Sequence, residues 1–272
     1  MDVKEVYTLN LNYIKSLSNI ADLQSSPIDL NVTKSIKKSL PNLNWNGYNA
    51  IPRSMKVSNN GKTLVVSTTY DNCPYLDGGP LDSRYNFSQI HYHWGHSTLE
   101  GSYHSVDGNY LPLEVHCVHF KCCYGDQTTA LQHPDGILII VIFYHINTEK
   151  SLLFDIFSKN ILKVKQPNVT VTIEPFSVLH LLHKFEIDYF LYWGQVISNI
   201  NNNNEVLKQS VLWLISRECG YISLEQLKLF RHLLNENLKP IQHTYNKITA
   251  NEKKDKHKKL FHINPRDRKS VV

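Results

Sequence analysis

No stretch of this 272-residue chain runs for 18 apolar residues without a break. A membrane-spanning helix needs about that length, so no transmembrane span is expected. The longest apolar run, residues 136–144, suits a buried strand instead. A secretory pattern is missing as well, because MDVKEVYTLNLNYIKSL has no basic stretch followed by an apolar one. Cysteine is scarce and badly spaced for a disulfide framework. Cys73, Cys117, Cys122, Cys123 and Cys219 are an odd number, and Cys122-Cys123 is not a C-x-x-C pair. Free thiols in a reducing compartment, and with them a cytoplasmic location, are the expectation. Excess charge is small: the net +5 sits late in the chain, and no nucleic-acid partner is expected. No internal repeat is visible.

What the chain does have is 42% hydrophobic residues, enough for a sizeable core. All-β domains commonly reach this length undivided. Residues 136–146 contain Ile-Leu-Ile-Ile-Val-Ile-Phe, a β-branched run expected to form a central strand buried on both faces. Residues 63–69 read as a shorter strand beyond an Asn-Gly turn. Residues 154–164 have helical spacing. Ser223-Leu-Glu-Gln is a capping-box pattern opening a second helix, its apolar stripe continuing through Leu227, Phe230 and Leu234. Residues 1–23 carry a loose apolar pattern, expected to be an N-terminal arm, before one domain over 24–272.

The chemistry gathers in residues 89–120. Gln-Ile-His-Tyr-His-Trp-Gly places His91 and His93 two apart. On a strand both imidazoles then share one face. His116 lies in a second β-rich run, Leu-Glu-Val-His-Cys-Val-His-Phe. Antiparallel pairing of the two runs could bring the third imidazole beside the first two. Three neutral imidazoles with a free fourth position are the ligand set of a catalytic zinc site. The plainer alternative is three ordinary strand histidines. Gln89 and Glu114 each precede a histidine by two residues on the same face, where each could hold the outer nitrogen of its ligand. Replacing Glu114 is expected to weaken metal binding while sparing the fold.

QIHYHWG, GSYHSVDG and LEVHCVHF together resemble the core signature of the α-class carbonic anhydrases. Gln24-Ser25-Ser26-Pro27-Ile28-Asp29, Asn59-Asn60-Gly61, Gly78-Gly79-Pro80-Leu81, Pro134-Asp135-Gly136 and Asp188-Tyr189-Phe190 follow in family order. The resemblance implies a mainly β domain on a large, mostly antiparallel twisted sheet with a few short peripheral helices. It also implies Zn2+ on His91, His93 and His116, and hydration of carbon dioxide to bicarbonate by zinc-bound hydroxide. In carbonic anhydrase, the long-established case, metal-bound water ionises near pH ~7. Val118, Ile139 and Val196 match positions lining the carbon dioxide side, and Trp213 matches the tryptophan flooring it. For each of these, ordinary core packing is the alternative reading. His104 and His119 resemble buried family histidines with structural hydrogen bonds.

Three positions depart from the family pattern. Ile197 stands where a threonine hydroxyl meets the zinc-bound hydroxide, with Ser198 following at once. Tyr103 replaces the glutamate that this threonine normally engages. Lys62 follows Asn-Asn-Gly in place of the family's proton-shuttle histidine. An amine of the ordinary kind, pKa about 10.4, holds its proton too tightly to relay one near neutrality. Losing one oriented hydrogen bond in a transition state costs ~10²–10³ in rate. A reduced rate is therefore the expectation, and the alternative is a carbonic-anhydrase-related binding protein using its surface. The basic run from Lys253 to Lys259 is either a solvated loop or a weak polyanion contact.

Overall fold

Ten strands form one continuous path through the molecule, which is a computed structural model describing residues 23–199, 206–233 and 260–263. They are β1 (Ile36–Lys38), β2 (Ser54–Asn59), β3 (Leu64–Thr69), β4 (Tyr85–Trp94) and β5 (Leu113–Lys121). The remainder are β6 (Ile137–Asn147), β7 (Val169–Ile173), β8 (Tyr189–Asn199), β9 (Val206–Ser216) and β10 (Phe261–Ile263). Their order across the sheet is β7-β2-β3-β4-β5-β6-β9-β8-β10-β1. The β6–β9 and β10–β1 junctions are parallel and the others antiparallel. The expected mostly antiparallel sheet is thus borne out, with two parallel junctions along this path that the sequence did not disclose.

The middle of the sheet is buried on both faces, which explains the unbroken apolar run of β6. Ile140 and Ile142 enter the larger core with Cys117, Val115, Leu212 and Leu214. Ile139, Val141 and Phe143 enter a second cluster on the other side with Val118, Tyr192 and Trp213. Period-two alternation does this sorting, and pairing in register extends it across neighbouring strands. A bulge shifts the β4–β5 register between Val118 and His119, so His119 pairs with Phe87. Ser88 is the extra residue, and Phe87 thereby turns into the larger core beside His119, whose Nε2 meets the hydroxyl of Tyr48.

Helices are short and peripheral. α1 (Gln127–Ala130) starts at Asp126, whose carboxylate accepts from Thr129 N–H. α2 (Leu152–Ile161) continues as a tighter turn over Leu162–Val164, close to the expected 154–164. α3 (Leu224–Arg231) carries the expected capping box on Ser223 and Gln226, with Leu227 and Phe230 buried. Gln226 also bonds both Ser151 N–H and Ser151 C=O, tying the starts of α2 and α3 together. Leu234, the run from Lys253 to Lys259 and the arm expected over 1–23, save Leu23, lie outside the described residues. No helix among the described residues is long and apolar enough to cross a membrane.

Candidate metal centre

Register assembles the site. His91 pairs with His116 across β4–β5, and His93 pairs with Glu114. All four side chains therefore leave the same face of the sheet. His91 Nε2 lies 3.1 Å from His116 Nδ1, and His93 Nε2 lies 3.2 Å from that same Nδ1. Three nitrogens at 2.0–2.1 Å around a tetrahedral ion stand ~3.3 Å apart, so this spacing fits such an ion. His91, His93 and His116 form a group that could hold a metal ion.

Glu114 decides which nitrogen of His116 is free. His116 Nε2–H donates to Glu114 Oε1 at 2.6 Å, leaving Nδ1 as a lone pair aimed at the other two rings. The same Oε1 accepts from His104 Nδ1–H at 2.7 Å, and Oε2 accepts from His104 N–H at 2.7 Å. His104 Nε2 then accepts from the Tyr192 hydroxyl at 2.6 Å, and Ser26 donates to Tyr192 at 3.1 Å. A chain of hydrogen bonds therefore runs from Ser26 to His116. The family resemblance marks His104 as structural, but nothing in the sequence links Ser26 and Tyr192 to it. They are 166 residues apart and no local spacing links them. Gly194 makes room for this chain, since a Cβ there would stand 2.2 Å from Ser26 Oγ and 2.7 Å from Trp213 Nε1.

Electrostatics keep the three imidazoles neutral. Burial, with His116 adding to it, pushes His91 down to about 3. Burial also holds His93 well below its ordinary value, helped by His116 and His91. His116 is lowered by burial, partly offset by Glu114. Burial alone raises the Glu114 carboxyl, but its pairing with His104 and His116 outweighs that and holds it below the carboxylate range. Neutral imidazoles offer lone pairs to a metal, and an adjacent carboxylate raises ligand basicity.

Other expected site residues vary in how far they join this cluster. Gln89 shares the face of His91 and pairs with Val118 across the strands, but it makes no hydrogen bond to His91. Val118 pairs with Ile139 and Ile139 with Trp213, giving one apolar row across β5, β6 and β9. Val196 packs against the same cluster. Tyr103 is 5% exposed and lies among the histidine rings, 5.0 Å from His93 and 5.6 Å from His116 between centroids. The backbones of Ile197 and Ser198 continue β8 opposite Lys208 and Leu207; their side chains lie outside the described residues. Lys62 is exposed in the turn joining β2 and β3, its N–H bonded to Asn60 Oδ1 at 2.9 Å.

A mixed twisted sheet with three converging, neutral imidazoles on one face defines a β protein with a histidine-lined candidate metal centre. The chain belongs to the eukaryotic-type carbonic anhydrase family, whose family model matches residues 13–256. Carbonic anhydrase 3 of Sus scrofa is 34% identical over 223 residues, covering 79% of this chain and 81% of the relative. Carbonic anhydrase 3 of Homo sapiens is 32% identical over 220 residues, with the same two coverages. Carbonic anhydrase 1 of Oryctolagus cuniculus is 32% identical over 189 residues, covering 68% of this chain and 76% of the relative.

Proposed function

We propose that this chain is a zinc-dependent carbonic anhydrase, held to a reduced rate by Ile197 and Tyr103. The observation that carries the reading is the meeting of His91 Nε2, His93 Nε2 and His116 Nδ1 within 3.1–3.2 Å of one another along two edges. His91, His93 and His116 would hold the zinc, which would supply a nucleophile at neutral pH by lowering the pKa of a coordinated water to about 7, the established value for this enzyme class. Glu114 keeps the proton of His116 on Nε2 and so keeps Nδ1 free for the metal. Val118, Ile139, Val196 and Trp213 give a small linear apolar substrate such as carbon dioxide a dry surface beside the imidazoles. Ile139, in place of a smaller valine, narrows that surface by one methylene. The five cysteines are free thiols, the state a cytoplasmic compartment preserves.

The second reading, a carbonic-anhydrase-related binding protein, is favoured by one observation: the buried Tyr103 ring where the family carries a carboxylate. Stopped-flow hydration of carbon dioxide separates the two. The zinc-loaded protein is expected to exceed the uncatalysed rate, and His93→Ala to lose that excess. Zinc-loaded wild type no faster than His93→Ala supports the binding protein instead.

A further inference from the structure

We propose that Tyr103 is a positioning residue of the metal centre: its ring braces His93 and His116 so that the three nitrogens stay converged before metal arrives and release it slowly. The inference rests on the zinc reading above and goes beyond it. The starting point is an imbalance among the three imidazoles. His116 is fixed through its second nitrogen by Glu114. Among the described residues, neither His91 nor His93 has a comparable partner; their hydrogen-bond-range contacts run only to His116. Gln89, on the right face to serve His91, does not reach it. A ligand imidazole ordinarily has its other nitrogen held, and that hold sets ring orientation. Among the described residues, that leaves ring packing to orient His93.

Tyr103 is placed to do this. Its ring lies 5.0 Å from the His93 ring, tilted at 31°, and 6.0 Å from the Trp213 ring at 30°, so it sits between the two with a face toward each. His104 and His116 meet Tyr103 nearly edge-on, at 5.1 and 5.6 Å with angles of 88° and 84°. None of the partners behind it is free to yield. Trp213 is 1% exposed, and His104 is fully buried and bonded at both ring nitrogens. Trp213 in turn contacts the His104 and His116 rings at 4.9 and 5.2 Å. The tyrosine is therefore wedged between a rigid wall and the ligand rings. Offset-stacked and edge-to-face geometries at these separations are the favoured ones for aromatic rings. A carboxylate side chain at this position has no face to offer His93. Tyr103 is thus a gain for metal retention as well as a loss of the family's hydroxyl partner.

The test is zinc release to an excess of a chromophoric chelator, followed in time, for wild type, Tyr103→Phe and Tyr103→Ala. Tyr103→Phe keeps the ring and should release zinc within about twofold of the wild-type rate. Tyr103→Ala should release it about 10–100-fold faster, the range typical for losing a partner that orients a ligand. The cobalt(II)-substituted proteins give a second readout that core filling alone would not move. The visible ligand-field band should match wild type in the Phe variant and change shape or intensity in the Ala variant. Thermal unfolding of the metal-free proteins checks that each folds, and Tyr103→Leu takes the place of alanine if the latter does not. Wild-type release kinetics and cobalt spectrum in the folded Ala or Leu variant overturn the inference. So does a Phe variant that releases zinc as fast as Ala, since the ring would then not be the brace. Wild-type protein that takes up no zinc at all overturns the zinc reading itself, a result distinct from either.

Discussion

Glu114→Ala is expected to weaken zinc binding by about 10–100-fold and to destabilise the chain severely. The sequence suggested that the fold would be spared, because an i−2 neighbour of a ligand reads as a local orienting group. The structure shows a wider role. Glu114 is 0% exposed and accepts from His116 Nε2–H, His104 Nδ1–H and His104 N–H. Alanine would orphan three buried donors, each worth roughly 1–3 kcal/mol when left unpaired. The whole native margin of a domain is about 5–15 kcal/mol. Glu114→Gln should be milder, since its amide oxygen still accepts while its NH2 opposes the remaining donors. Zinc competition titrations and denaturant midpoints on both variants check this. A Glu114→Ala protein of wild-type midpoint would show that the network matters less than its geometry implies.

The largest gain is expected from Ile197→Thr combined with Tyr103→Glu. A hydroxyl and its carboxylate acceptor act as one unit, so the double change should exceed the two singles summed in log rate. One recovered oriented hydrogen bond corresponds to a gain on the order of 10²-fold in hydration per bound zinc. Ile197→Thr alone should help only partly, lacking an acceptor. Tyr103→Glu alone should be neutral or harmful, because it buries a charge with no hydroxyl partner. Rates must be taken per zinc, because the glutamate variants also lose the aromatic brace on His93. Ser198 offers the contrary outcome. If its hydroxyl already fills the slot, wild type will be fast, Ser198→Ala will cripple it, and Ile197→Thr will change nothing.

Much of this is legible in the amino-acid sequence. The two-residue spacing of His91 and His93 fixes a shared face, and the apolar continuity of β6 fixes burial on both sides. The Ser223–Gln226 capping box is a local signal and is found as expected. Features that depend on distant partners were not legible. The bulge at Ser88 turns Phe87 to the face opposite Gln89 and His91, and so interrupts an alternation along β4 that its sequence does not reveal. The parallel β6–β9 junction is set by a crossover that leaves no periodicity. Gln89 shows the limit of spacing arguments: two residues give the face, but reach and rotamer decide the hydrogen bond. Tyr103 shows the converse. As a letter it reads as a missing glutamate, and only its ring contacts reveal what it adds.

The central claim is that three imidazoles hold one zinc ion. Zinc analysis of the dialysed full chain, joined to X-ray absorption at the zinc edge, tests it most directly. The account predicts one zinc per chain with imidazole nitrogens at ~2.0–2.1 Å, and none retained by His93→Ala. Wild type that keeps no zinc, or a His93→Ala chain that keeps as much as wild type, would contradict it.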